Sequence, residues 1–265
     1  MIGIFSWYGI DKPFIERIKS IKETGFDATS MWIGEEESSI KNGKMDDMPH
    51  IVRDSGLFLE NAHIPFDTCN DLWSSDSVKA NNIKNEYRTY IEFCSKHAIP
   101  LLVMHISKGY QIQEINDSGI SILKDLVKLA EDKTVKIALE NTRIPVLLDT
   151  IYETIQSEYL GFCYDSSHDK LYARTPYEIV ETYKDKLLCV HLSDTDGIND
   201  SHWLPDEGII DWDMVIQKFP KTYTGIYTLE VVTKNGEENK AFLKKAKEKI
   251  ETIRDRIQVS PKNST

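Results

Sequence analysis

The chain has 265 residues, enough for one sizeable hydrophobic core and close to the size of a single eight-stranded β/α barrel. Its 32 basic and 43 acidic residues give a formal net charge of -11, which opposes association with a polyanion and disfavours nucleic acid as a partner unless metal ions or a local basic patch intervene. The four cysteines show no CxxC spacing and no long apolar stretch is present, so reduced thiols, a cytoplasmic location, no signal peptide and no membrane span are expected.

Short runs rich in Ile, Val, Leu and Phe alternate with longer segments of helical periodicity, which predicts a parallel sheet covered by helices. The first strand is Ile2–Phe5, followed by a helix over Lys12–Thr24 with Phe14, Ile15, Ile18 and Ile21 at helical spacing and Gly25 as its stop. The second strand, Ala28–Trp32, leads into an irregular stretch, Gly34–Met45, and the third is Phe58–Ala62. Asp76–His97 is a long helix whose inward stripe is Ile83, Tyr87, Tyr90, Ile91 and Cys94. Leu101–Met104 is apolar on both faces, as a strand beneath helices must be. Next come a helix over Ser118–Glu131, strands Lys136–Leu139 and Gly161–Tyr164, and a shorter helix over Pro176–Tyr183. Strand Leu188–Val190, the irregular Ser193–Asp211, strand Ile226–Leu229 and a helix over Glu238–Arg256 complete the pattern. Eight strands with intervening helices predict an α/β fold, a (β/α)8 TIM barrel over residues 1–258, with a polar tail at 259–265.

A metal-binding residue type follows most of these apolar runs. His63, His105, Glu140, Asp165, His191 and Glu230 come after the third to the eighth strand. Strand carboxyl ends of such a barrel lie on one rim, where the chemistry of the fold resides. Carboxylates gathered there without a cation would repel one another or be forced to protonate. The mixed oxygen and imidazole set suits Zn, Mn, Co or Fe better than Mg or Ca. Asp165-Ser166-Ser167-His168 adds an imidazole, and Asp200-Ser201-His202 adds an acid and a histidine on the loop after the seventh strand. Five of the seven histidines therefore fall in this constellation, His50 and His97 being the exceptions.

Around it, Trp7, Trp32, Phe66, Trp73 and Trp203 lie near rim segments and could form an apolar wall, Trp32 and Trp203 being the preferred pocket residues. Arg143 could grip a carboxylate or phosphate with two parallel hydrogen bonds, and Lys108, Lys170 and Arg174 are further cations within reach of a phosphate. Ser193-Asp194 is expected to orient His191 through its second ring nitrogen. No nucleophile elbow, phosphate-binding glycine loop or dinucleotide fingerprint is present, so no organic cofactor is implied.

The segments Ala138-Leu139-Glu140-Asn141, Tyr164-Asp165-Ser166-Ser167-His168 and Val190-His191-Leu192-Ser193-Asp194, with Asp200-Ser201-His202, Ile210-Asp211-Trp212 and Leu229-Glu230-Val231, resemble in order and spacing the sugar phosphate isomerase/epimerase group of the xylose-isomerase-like barrels. The resemblance implies that Glu140, Asp165, His191 and Glu230 ligate a divalent metal, that Glu140 and Glu230 exchange protons with substrate carbons, and that His168 contacts a substrate oxygen. It implies isomerisation or epimerisation of a small sugar, sugar phosphate or polyol through an enediolate. Substrate contacts are expected from Trp32, His63, His105, Lys108, Arg143, His168 and Trp203. The chain also resembles the related class II apurinic/apyrimidinic endonucleases, whose three-zinc pattern maps onto His63, His105, Glu140, Asp165, His168, His191, Asp200, His202 and Glu230. One to three ions of Zn, Mn or Co are thus expected. A non-catalytic metal- or polyol-binding barrel is a third reading, and a homodimer is compatible with the sequence.

Overall fold

The computed structural model describes residues 1–34, 43–109, 115–234 and 236–259. Eight parallel strands close in sequence order into a barrel: β1 Ile2–Phe5, β2 Ala28–Trp32, β3 Phe58–His63, β4 Leu101–Met104, β5 Lys136–Glu140, β6 Leu160–Asp165, β7 Leu187–Leu192 and β8 Tyr227–Leu229. Around them lie α1 Phe14–Thr24, α2 Met48–Asp54, α3 Ser77–Lys96, α4 Asp117–Asp132, α5 Val146–Thr154, α6 Ser166–Tyr172, α7 Ile179–Thr182, α8 Trp212–Lys218 and α9 Asn239–Val259. This is the (β/α)8 barrel that the alternating pattern predicts. The predicted tail, apart from Val259 at the end of α9, lies outside the described residues, as do residues 35–42 of the Gly34–Met45 stretch.

The long helices form where the sequence has both a cap and an apolar stripe. Gly25 closes α1 in the left-handed region at φ 94°, where its N–H reaches Ile21 and Lys22. The Asp76 carboxylate accepts from Val78 N–H at 2.8 Å to open α3, and the Asn116 side chain accepts from Gly119 N–H at 2.8 Å to open α4. On α4, Ile122, Leu123, Leu126 and Val127 are buried against the barrel wall, each contributing about 1.5–3 kcal/mol. The sequence pattern does not announce the shorter α2, α5, α6 and α8, because seven to nine residues give too few turns for a helical period to stand out; the expected Pro176–Tyr183 helix is reduced to α7, Ile179–Thr182.

The strand period of two decides what faces the barrel interior. Leu101, Val103, Ala138, Cys163 and Cys189 form an interior apolar layer, while Leu102, Met104, Ile137, Leu139 and Phe162 join the larger core under the helices. Two residues further along the same inward faces stand His105, Glu140, Asp165 and His191. The interior layer thus aims the polar strand ends at the barrel axis. Strand β3 departs from this parity: the register passes from Thr29↔Leu59 to Met31↔Ala62, so one extra residue is inserted into β3. The bulge lets Glu60, bonded to Ser30 and Thr228 inside the barrel, and His63 at the rim both point inward although three positions apart.

Candidate metal centre

The strands carry on past their apolar runs, so four of the candidate residues are paired strand residues: His63↔Val103, Glu140↔Cys163, Asp165↔His191 and His191↔Thr228. Ladder pairing fixes their backbones, and burial fixes their side chains, since Asp165 and His191 are fully buried and Glu140 nearly so. Glu140 lies at the centre. Its Oε1 is 2.9 Å from His168 Nδ1 and 3.4 Å from His105 Nε2, and its Oε2 is 3.2 Å from both His63 Nε2 and His191 Nδ1. His191 Nδ1 is also 3.0 Å from Glu230 Oε2. On the far side, His168 Nε2 and His202 Nε2 approach Asp200 Oδ2 at 2.9 and 3.3 Å. All nine predicted ligand types are therefore brought together.

Among the described residues, potential ligand atoms gather in four overlapping groups, each within 4.8 Å: three around Glu140, namely His63, Glu140 and His191; His105, Glu140 and His168; and Glu140, Asp165, His191 and Glu230; and a fourth, Cys163, Cys189 and His191, just below them. Several of these atoms are close without being bonded to one another. Asp165 Oδ2, His168 Nδ1, both ring nitrogens of His191 and Asp200 Oδ1 are buried without a hydrogen-bond partner among the described residues. Unpaired buried polar atoms are costly. Their convergence fits a site shaped for cations.

Two tautomers support this. His63 Nδ1–H donates to the Ile64 carbonyl at 2.8 Å, and His202 Nδ1–H donates to the Glu230 carbonyl at 3.0 Å. A carbonyl only accepts, so in the neutral ring each Nε2 is left as a lone pair, aimed at Glu140 and Asp200 respectively. A backbone carbonyl that accepts the second ring N–H in this way is a common outer partner of metal-bound histidine. His202 takes up this position from the left-handed region, at φ 47°.

Without cations the protons redistribute. Burial disfavours charge on His191 and His168, yet the carboxylates around them outweigh it and raise both pKa values well above the ordinary imidazole range. Burial pushes Asp165 up to about 7. Burial likewise opposes the charged form of His202, but the bond to Asp200 and the nearby Glu230 bring its pKa up to about 10. His105, where burial dominates over Glu140, is lowered.

Asn141 holds the centre together in a way the sequence did not disclose. Its side-chain N–H donates to the Asp165 carbonyl at 2.8 Å, while its Oδ1 accepts from Asp165 N–H at 2.7 Å. Asp165 also divides its own oxygens: Oδ1 accepts from His168 N–H at 2.6 Å and caps α6, and Oδ2 is the unpaired one. The expectation that Ser193 and Asp194 orient His191 is corrected. Ser193 exchanges bonds with Ser166 and Ser167, and Asp194 is consumed by the backbone of its own loop and by Trp212.

Beside the cluster opens a cleft of about 260 Å³ lined by Phe66, His105, Ser107, Lys108, Gly109, Thr142, Arg143, His168, Tyr172 and Asp200. Of the expected substrate contacts, His105, Lys108, Arg143 and His168 line it. Trp32 instead packs on His63, with ring centres 4.1 Å apart, and Trp203 pairs its backbone with Asp194 beneath Lys234. Phe66 stacks on His105 at 4.4 Å. Trp73 is an anchor, donating to the Ile106 carbonyl at 2.7 Å, and Trp7 lies against Arg17. Lys170 rests over Tyr177, and Arg174 is exposed. Ser107, Thr142 and Tyr172 are cleft residues that the sequence did not single out.

A family model described as xylose isomerase-like TIM barrel matches residues 18–256. The chain belongs to that family. Among curated proteins it is similar to the uncharacterized protein MJ1311 of Methanocaldococcus jannaschii, 29% identical over 187 residues, which is 63% of this chain and 62% of that protein. It is also similar to the uncharacterized protein y4fM of Sinorhizobium fredii, 31% identical over 96 residues, or 36% of this chain and 30% of that one. The match thus spans less than two thirds of either relative. Among solved structures, an L-ribulose 3-epimerase superposes with TM-score 0.77 at 16% identity, covering 100% of this chain and 99% of its own. A D-tagatose 3-epimerase-like protein gives 0.77 at 23%, covering 97% and 99%. The D-psicose 3-epimerase of Clostridium cellulolyticum H10 gives 0.71 at 16%, covering 97% and 94%. At these identities the likeness establishes the barrel. Among the described residues, no helix is long and apolar enough to cross a membrane.

Proposed function

We propose that the protein is a divalent-metal-dependent isomerase or epimerase of a small sugar, sugar phosphate or polyol. One observation carries this reading: Glu140, Asp165, His191 and Glu230, from four different strand ends, bring buried ligand atoms within 4.8 Å of one another. These four residues would hold the ion, with Zn, Mn or Co suiting the donors. A bound divalent cation supplies charge stabilisation for the oxygens of a substrate losing a proton from carbon. Glu140 and Glu230 are the proton carriers: one carboxylate takes the proton beside the carbonyl, and a carboxylate returns it to complete the enediolate step. His168 orients a substrate oxygen, with His105, Lys108 and Arg143 along the cleft and Trp32, His63 and Trp203 as the supporting shell. The structural neighbours named as 3-epimerases favour the same reaction class through their shared fold. The four free, buried cysteines suit a reducing, cytoplasmic setting.

A second reading, a multinuclear zinc phosphodiesterase, is favoured by the presence of His63, His105, Asp200 and His202 beyond the four-residue set. The net charge of -11 weighs against a duplex substrate. The discriminating experiment incubates metal-loaded protein with ketopentoses, ketohexoses and their phosphates in deuterated water. Deuterium at a substrate carbon, abolished by chelation, is the expected result. Cleavage of an abasic-site duplex with three tightly held ions and no deuterium in any sugar would replace the first reading by the second.

A further inference from the structure

The isomerase reading leaves open whether the substrate carries a charge, and the cleft beside the cluster bears on this. His105, His168 and Asp200 form the side of the cleft that belongs to the metal centre. Ser107 and Lys108, from the loop after β4, and Thr142 and Arg143, from the loop after β5, form another part of its lining. A small molecule with its reacting end at the cluster would extend toward these four residues.

Resting on the isomerase reading, we infer that this part of the cleft binds a phosphate monoester at the distal end of the substrate, with Arg143 and Lys108 as the residues that select it. The Arg143 guanidinium lies over the Tyr172 ring at 4.7 Å, a contact that holds it at the cleft wall. Lys108 is positioned through its backbone: Asn70 Oδ1 accepts from its N–H, and Asn70 Nδ2–H donates to its carbonyl, both at 2.9 Å. Its ammonium lies 5.3 Å from the Phe66 ring and pairs with Asp67, whose side chain is 81% exposed, so that partner is readily exchanged for a ligand oxygen.

Ser107 Oγ and Thr142 Oγ1, both buried, are 2.6 Å apart. One hydroxyl donates to the other, and the acceptor still has a proton of its own to place. A planar carboxylate would be satisfied by a single guanidinium fork. Here a fork, an ammonium and a hydroxyl arrive from two loops, a set of donors that suits the three terminal oxygens of a phosphate. Two cations also match its double charge, whereas a neutral sugar would leave Lys108 paired with Asp67 and offer Arg143 only hydroxyl groups.

Titration calorimetry in phosphate-free buffer tests this without requiring turnover. Metal-loaded protein is titrated with glycerol 3-phosphate, glycerol and D-glycerate, using wild type, R143A, R143K and K108A. Glycerol 3-phosphate is expected to bind wild type about tenfold or more tightly than either comparison compound, and R143A to weaken it about tenfold or more. R143K should retain part of the affinity, and all variants should keep the wild-type metal content, which reports an intact cluster. Unchanged affinity in R143A would mean that the phosphate rests on the metals and would overturn the inference. Glycerate binding as tightly as glycerol 3-phosphate would overturn it too, making the site one for carboxylates. Failure of the isomerase reading is seen separately, as no deuterium exchange in any sugar.

Discussion

Asp165 and Asp194 stand in neighbouring parts of the rim, both fully buried and each preceding or following a serine, yet they do opposite things. Asp194 lies in the loop over residues 193–211, and its oxygens are fully used. Oδ1 accepts from the N–H groups of Thr195 and Ile210 at 2.8 and 3.0 Å, and Oδ2 from Asp206 N–H at 3.1 Å and Trp212 Nε1–H at 2.9 Å. Asp165 has one oxygen in a helix cap and the other without a hydrogen bond, surrounded by other ligand atoms. A buried carboxylate supplied with N–H donors is scaffold. One left beside lone pairs of its own kind is able to coordinate a cation.

The largest expected effect breaks that comparison at Asp165. Asp165→Asn keeps an oxygen for the cap on α6 but removes the charge offered to a metal. Activity is expected to fall about a thousandfold, with metal content lost in parallel and little change in the thermal midpoint of the metal-free protein. Plasma mass spectrometry of the purified variant checks it; wild-type metal content and activity would erase the distinction between the two aspartates. The reverse substitution, Asp194→Ala, strands four donors at once. It is expected to cost about 3 kcal/mol or more in denaturant unfolding, an effect that metal-free wild type and variant would show equally.

A third substitution extends the comparison below the rim. Glu60 is buried inside the barrel, where desolvation lifts its pKa from 4.5 to about 7 despite the bonds from Thr228 and Ser30. Because the folded value lies above the unfolded one, the protonated group's contribution is complete below about 4.5, declines as pH rises, and is gone above about 7. Glu60→Gln should therefore differ from wild type by only about 1 kcal/mol at pH ~5 and exceed it by about 3 kcal/mol at pH ~8. A stability difference independent of pH would mean that Glu60 is ionised in the fold at both values.

The barrel and the ligand set could be read from the sequence because both follow from alternation. An apolar layer at Val103, Ala138, Cys163 and Cys189 dictates where the next inward residue lies, and His105, Glu140, Asp165 and His191 occupy those places. His63 was found for a weaker reason. Its inward direction depends on the extra residue in β3, and no local signal in Leu59-Glu60-Asn61-Ala62 announces a bulge. The opposite roles of Asp165 and Asp194 were hidden because a carboxylate's partners are backbone groups from positions such as Ile210, distant in sequence and brought near only by the loop. Ser107, Thr142 and Tyr172 escaped notice for a similar reason, since a hydroxyl acquires meaning only from the cleft it faces. The long helices show in the sequence through their period, whereas α2, α5, α6 and α8 are too short to display one.

The smallest expected effect asks whether the loop around Asp194 owes its stability to its interior or to its outer charges. Glu207, in the same loop, is held by Lys234 at 2.8 Å and by Lys245, and these lysines lower its pKa even though partial burial pulls the other way. Both ammonium groups are about half exposed, so water and salt screen them. Glu207→Gln is expected to cost only about 0.5–1 kcal/mol, and less at ~1 M salt, where the screening length is about 3 Å. Asp194→Ala, acting on enclosed hydrogen bonds, should keep its full cost in the same salt. Equal losses for the two variants, falling together as salt is raised, would locate the loop's stability in its surface ion pairs and leave Asp194 no special place as scaffold.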